Sequence, residues 1–172
     1  MSSTTQTTGM KGRYLEYIKR MREADIERSE KLQQAWQQKS PELRGPEPRV
    51  IPGAQAVIDA FLYTVTGEIS YADSAVQLLA DHDFSLYEYT QAYHALTDSP
   101  AMTPDLRTGI EARMAKLAEE LIEHHVEWGA MNHATNDIVD GMTAAAQTLP
   151  DHPHCGRWTQ FAEKMLAASW GK

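Results

Sequence analysis

The sequence predicts an all-α protein, a bundle of five or six helices with a protruding N-terminal helical arm. Apolar residues recur at steps of three and four along most of the chain, which is the helical period. No segment alternates apolar and polar residues as a half-buried strand does. At 172 residues the chain most simply forms one domain with an arm, and it is long enough to bury a core without disulfides.

Charge divides the chain into an arm, residues 1–49, and a body, residues 50–172. The arm holds ten of the sixteen Lys and Arg residues and seven acids, a net charge of +3, whereas the body has a net charge of −11. Between Arg49 and Arg107 there is no Lys or Arg. Because opposite potentials attract, we expect the arm to lie against an acidic body, its own or a sister subunit's.

The arm contains a helix predicted from about residue 12 to 38, after a Ser/Thr/Gln-rich leader over residues 1–10 that we expect to be mobile. Asp25 and Arg28 interrupt its apolar stripe. So thin a stripe fits either a solvated helix or a helix that docks on a partner. The stripe consists of Tyr14, Ile18, Met21, Leu32, Ala35 and Trp36. Four prolines and two glycines between Ser40 and Gly53 then predict an extended connector that excludes helix.

Three shorter helices are predicted next, over residues 54–65, 70–81 and 85–96. Gly67 is placed to end the first of them. Ser85 and Glu88 form a capping-box pattern, which predicts the start of the third. The chain closes with a short amphipathic helix whose apolar residues are Trp158, Phe161, Met165, Leu166 and Trp170.

Between these elements, Thr103 and Pro104 predict the start of a long helix that runs to about residue 147. A continuous helix of this length would measure about 65 Å at 1.5 Å per residue. Because this is long for a domain of this size, we expect a bend near Gly129 or Gly141.

Polar residues interrupt the apolar seam of the long helix at His125, Asn132 and Thr135. A buried polar group without a partner costs about 1 to 3 kcal/mol, so these side chains need partners. One interpretation is a satisfied polar layer that sets the register of packing. The other is a ligand pocket, for which the binding residues would be His125, Trp128, Asn132, Thr135 and Asn136.

Histidines and carboxylates offer a metal-binding alternative. Two trios have the spacing that places all three residues on one helix face: Glu120, His124 and Glu127, and then His133, Asp137 and Asp140. The chain contains neither Glu-x-x-His nor His-Glu-x-x-His, so the patterns of dimetal bundles and zinc proteases are missing. His152, His154 and Cys155 form a second concentration, for which ordinary loop polarity is the simpler interpretation.

Composition argues against several other classes. A net charge of −8 disfavours nucleic-acid binding, and no apolar run approaches the length of a membrane span. Cys155 is the single cysteine, which fits a reducing cytoplasm. We therefore predict a cytoplasmic protein that acts by protein–protein assembly, as a homo-oligomer or an accessory subunit, through the helix at 12–38. The alternative is a helical-bundle enzyme or a cofactor- or metal-binding protein with a pocket on the polar seam; no catalytic residue or particular cofactor is indicated.

Overall fold

The computed structural model describes residues 3–44, 52–124 and 133–170. Throughout these ranges the regular structure is helical and no strand occurs, which confirms the all-α class. The helices are α1 (Ser3–Gln37), α2 (Pro52–Thr66), α3 (Ile69–Asp81), α4 (Leu86–Leu96), α5 (Pro104–His124), α6 (His133–Thr148) and α7 (Cys155–Trp170). The chain divides into two compact units, Met1–Ile51 and Pro52–Lys172. Among the described helices, none combines the length and the apolar character that crossing a bilayer requires.

The first unit is dominated by α1. This helix begins at Ser3, so it includes most of the stretch that we expected to be a mobile leader. The Ser, Thr and Gln residues there offer little apolar surface to bury. However, the stretch contains no proline, and the helix propensities of these residues permit a helix. At the other end Arg44 donates hydrogen bonds to the carbonyl oxygens of Gln37 and Lys39, at 2.7 and 3.0 Å. The bond to Gln37 satisfies a carbonyl in the last turn of α1, which the end of a helix leaves unpaired.

At both of its described ends the connector after α1 differs from the extended segment that the prolines predicted; residues 45–51 lie outside the described residues. Pro41–Leu43 forms a turn of 3-10 helix, and α2 already begins at Pro52. Exclusion of helix up to Gly53 was therefore wrong at both ends. The physical reason is that proline is excluded from helix interiors only; its missing N–H is harmless in the first turn, where no intrahelical acceptor exists.

Two predicted helix boundaries in the body are confirmed. Ser85 is the N-cap of α4 and accepts a hydrogen bond from the backbone N of Glu88 at 3.3 Å. After α2, Gly67 adopts a φ of +72°, in the left-handed region that glycine tolerates best, and it turns the chain into α3.

The predicted long helix corresponds to the separate helices α5 and α6. Thr108 near the start of α5 and Thr148 at the end of α6 line the same cavity, so the two helices are not collinear and α6 runs back beside α5. The chain between them, including the bend predicted near Gly129, lies outside the described residues. At the other candidate position, Gly141, α6 continues without interruption.

Small residues bring the body helices close together. Packing joins α2 to α3 and α4, α4 to α6, and α6 to α7, while α5 contacts α3, α4, α6 and α7. Among the described residues, ten of the buried apolar side chains are alanines, interspersed with larger side chains such as Tyr89, Met114 and Trp158. A close approach of backbone to backbone involves Gly141, where an added Cβ would lie 2.9 Å from the backbone N of Tyr87 and 3.1 Å from Cβ of Leu86.

We expect Gly141→Ala to lower the free energy of unfolding by about 1 to 3 kcal/mol, because the new methyl group would press on the backbone of α4. The matched control is Gly109→Ala in α5, where an added Cβ meets nothing within 4 Å. That change should raise the free energy of unfolding by about 0.5 to 1 kcal/mol through helix propensity alone. Urea unfolding followed by circular dichroism measures both. Stabilisation of similar size in the two variants would refute the close approach of α6 to α4.

Candidate functional site

Most of the predicted ligand-binding residues fall beyond the described part of the chain. His125, Trp128 and Asn132 lie outside the described residues, as does Glu127 of the first metal trio. Four further residues, His133, Thr135, Asn136 and Asp137, belong to the first five residues of α6, and only their backbone is described. The pocket on the polar seam therefore stays a prediction.

Two of the described metal-trio residues, Glu120 and His124, have local partners. In α5 the carboxylate of Glu120 forms an ion pair with Lys116 at 3.4 Å, and His124 Nδ1 lies 3.0 Å from the backbone oxygen of Glu120. Asp140 is exposed on α6. Among the side chains that the structure describes, no three His, Cys, Asp or Glu residues are grouped to hold a metal ion. A complete metal trio would require Glu127, which lies outside the described residues, or His133 and Asp137, of which only the backbone is described.

The residues His152, His154 and Cys155 point to three different partners. The ring of His152 stacks on Trp158, with centroids 4.6 Å apart. His154 Nδ1 lies 2.9 Å from Oε1 of Glu119, and Cys155 Sγ donates to the carbonyl oxygen of Ala146 at 3.3 Å. Their side chains therefore contribute to packing and helix contacts, as ordinary loop polarity predicts.

Glu119 organises this end of the molecule. Its Oε1 accepts a hydrogen bond from the indole Nε1 of fully buried Trp158 at 2.6 Å, and its Oε2 pairs with Arg157. Partial burial opposes ionisation of Glu119, but the hydrogen bonds from Trp158 and His154 and the charge of Arg157 outweigh it. The pKa of Glu119 is consequently lowered, and the carboxylate binds α7 to α5.

A cavity of about 470 Å³ lies between α5 and the loop that joins α6 to α7. We call it the junction cavity; the side chains that matter for its chemistry are Thr108, Glu111, Thr148, Asp151 and His152. Alanines of α5, with Leu149 and Pro150, supply an apolar part of the wall. This combination of apolar surface and a few polar groups is typical of small-molecule sites.

A hydrogen-bonded network fixes the Glu111 side of the cavity. Tyr93 donates its hydroxyl proton to Oε1 of Glu111 and accepts a hydrogen bond from Nη1 of Arg107 at 3.2 Å. Burial, then the hydrogen bond and charge of Glu111, raise the pKa of Tyr93, against the opposing effect of Arg107. Tyr93 is therefore a neutral donor at neutral pH and holds the carboxylate in place.

Sequence reasoning missed these residues for a common reason. The partners Glu119 and Trp158 are 39 positions apart, and Tyr93 and Glu111 are 18 apart, so no local spacing relates them. A signal did exist for Asp59, which is the single charged residue among the apolar residues of α2 and is fully buried. It accepts hydrogen bonds from Ser74 at 2.6 Å and Gln55 at 3.2 Å, which is a structural role between α2 and α3.

Comparison of the chain with protein-family models, with curated proteins and with solved structures finds no match. The function is therefore argued from the chemistry of its own residues.

We expect Glu119→Gln to lower the free energy of unfolding by about 1 to 2 kcal/mol at pH 7, because Gln retains an acceptor for Trp158 but loses the charge that binds Arg157. The folded-state pKa of Glu119 lies below its unfolded value, so its contribution is present above the unfolded pKa and is lost as pH falls through the folded pKa. The difference between the two proteins should therefore narrow on acidification below about pH 4. Urea unfolding across this pH range measures it.

The control is Glu123→Gln, which removes an exposed carboxylate from the same helix. Its effect should be within about 0.5 kcal/mol at every pH. Equal effects of the two substitutions at pH 7 would contradict the role assigned to Glu119.

Proposed function

We propose that this protein acts by assembly, and that α1 joins two copies of the chain. The observation that carries the proposal is the exposure of apolar side chains along α1. Tyr14 is 59 % exposed, Met21 39 % and Leu32 48 %. Between Lys11 and Arg44 none of the described side chains is buried. A helix with a row of uncovered apolar residues is typical of an interaction element.

The ion pair between Glu27 and Lys31 adds little to the stability of α1. It has the favourable i, i+4 spacing, but both side chains are about two-thirds exposed. Such a pair contributes only about 0.3 to 0.5 kcal/mol. Because most helical stability in proteins comes from packing of an apolar face, a second helix would stabilise α1 considerably.

The stripe of α1 has the spacing of a two-stranded coiled coil. Ile18, Met21, Asp25, Arg28, Leu32 and Ala35 follow one another at alternating steps of three and four. These are the core positions of a heptad repeat. The acids Glu16, Glu23, Glu27 and Glu30 lie on the outer face of the helix, whereas the cations Arg22 and Lys31 flank the stripe.

Charge selects the direction in which two copies pair. In a parallel, in-register pair Asp25 would face Asp25 and Arg28 would face Arg28, which is repulsive twice. In an antiparallel pair Asp25 of each copy faces Arg28 of the other. Partners in this register have residue numbers that add to 53, as 25 and 28 do. The two residues that interrupt the apolar stripe therefore form two equivalent ion pairs.

The same register matches the apolar residues. Met21 of one copy faces Leu32 of the other, and Ile18 faces Ala35. Each contact occurs twice, once on each side of a two-fold axis. The pair is therefore a closed dimer, and this contact leaves no surface to which a third copy would add. Residues 16–37 overlap, which corresponds to about 33 Å of helix. Attraction between a basic arm and an acidic body is also expected but fixes no register, so we favour the pairing of two arms, in a cytoplasmic homodimer.

Asp25→Arg and Arg28→Asp should each weaken the dimer at least about tenfold, which corresponds to about 1.4 kcal/mol, because each change creates two like-charged contacts. An equimolar mixture of the two variants should dimerise again, since every cationic position in one chain then faces an acidic position in the other. Sedimentation velocity over a concentration series measures all three samples. Recovery on mixing cannot come from contacts within one helix, so it reports pairing between chains.

The control is Glu23→Arg, which makes the same charge change as Asp25→Arg on the exposed outer face of α1. It should leave the dimer intact, whereas deletion of residues 1–49 should give a monomer with a helical body. A full-length protein that is monomeric at every concentration would overturn the proposal and favour an accessory subunit of another complex. An unchanged dimer after the deletion would place the interface elsewhere.

A further inference from the structure

We propose that the junction cavity binds a small organic amine in its ammonium form, with an apolar group attached. This inference concerns the body and is independent of the pairing of α1. The volume of about 470 Å³ lies within the range of small-molecule sites. The nature of the ligand follows from which hydrogen-bonding groups of the wall are already engaged.

The two threonines of the wall have already donated their hydroxyl protons. Thr108 donates to the carbonyl oxygen of Pro104 at 3.0 Å, and Thr148 donates to that of Ala144 at 2.7 Å. A hydroxyl has one proton and two lone pairs, so these groups offer acceptors. Nε2 of His94 lies 2.7 Å from Thr148 Oγ1. Because the hydroxyl proton of Thr148 is already engaged, the N–H of His94 donates to one of the two lone pairs of this oxygen.

Glu111 supplies a carboxylate with one oxygen available. Tyr93 engages Oε1, and no hydrogen bond or ion pair involves Oε2 among the described residues. Arg107 does not neutralise the group directly, because its guanidinium donates to Tyr93 and to the carbonyl oxygen of Thr97. Glu111 is half-buried, so its charge is less screened than that of a surface carboxylate.

The remaining lining residues favour a cation over an anion. Asp151, an exposed residue, adds a second carboxylate, and none of the described Lys and Arg residues lines the cavity. An anion would meet two like charges and few free donors, whereas an ammonium group donates up to three hydrogen bonds to the acceptors present. His152 borders the same space, and its Nδ1 accepts from the backbone N of His154 at 3.2 Å.

The apolar part of the wall sets the rest of the ligand. Ala112 and Ala115 of α5 stand on one side, and Leu149 and Pro150 of the loop stand on the other. None of these side chains offers a hydrogen bond. A short alkyl or aryl group therefore completes the ligand class: a monoamine with one charged end and one apolar end.

The experiment uses isotope-labelled full-length protein and three probes of similar size. These are 2-phenylethylamine, the neutral 2-phenylethanol and the anionic 3-phenylpropanoate, each titrated by NMR at pH 7. The amine should bind at least about tenfold more tightly than the alcohol, and the anion should not bind. Shift changes should centre on residues 108–115 and 148–152. Equal affinity for amine and alcohol, preference for the anion, or amine-induced shifts elsewhere would overturn the assignment.

Variants then test the carboxylates. Glu111→Gln keeps an oxygen acceptor for Tyr93 and should weaken amine binding at least about tenfold. Asp151→Asn, on an exposed loop residue, should weaken it about two- to fivefold and provides the test if the Glu111 variant fails to fold. Glu123→Gln, on the same helix outside the cavity, is the matched control and should change nothing. The proposed site would be refuted if the amine bound Asp151→Asn and a folded Glu111→Gln as tightly as the unchanged protein. It would also be refuted if Glu123→Gln reduced the affinity as much as they do.

Discussion

A buried indole N–H needs an acceptor, and the way this chain provides one for Trp158 determines much of the body. Trp158 is fully buried, and the carboxylate of Glu119 accepts a hydrogen bond from its indole N–H while also binding Arg157 and His154. One residue of α5 thereby positions the start of α7 and the end of the preceding loop. His152 stacks on the same indole, which fixes the part of the loop that borders the junction cavity. The stacking of His152 on Trp158, which is not part of the junction cavity, thus helps to fix the wall of that cavity.

Local sequence predicted several helix boundaries but could not identify the site. The cap at Ser85, the start at Pro104 and the turn at Gly67 depend on a few neighbouring residues, and all are present in the structure. The contacts of Glu119 and Glu111 depend on which helices pack together, and helical spacing does not encode that choice. Gly141 illustrates the difference, because a residue that suggested a bend instead permits α6 to approach α4. The start of α2 at Pro52 was not predicted, and the reason is local: proline is acceptable in the first turn of a helix.

The arm and the body present two kinds of surface. In α1 the charged residues Asp25 and Arg28 make the stripe too thin for a core helix. In the proposed dimer the same residues would give the stripe selectivity, because a partner helix would have to offer opposite charges at matching positions. In the body the buried polar side chains bond to other groups of the protein: within the described residues no buried side-chain N or O lacks a partner. Free hydrogen-bonding capacity remains where Glu111 and the threonines border the junction cavity.

The abundance of buried alanine affects how the body tolerates sequence change. A core of large side chains is weakened mainly by truncation, which leaves voids. Here ten buried positions already carry a methyl group, so truncation there removes little. Enlargement is the damaging change, because each added carbon must separate two helices that are already in contact. Sequence drift in this protein should therefore be restricted at its smallest residues, and Ala60, Ala75 and Ala145 should vary less than larger neighbours such as Leu78 or Ile138.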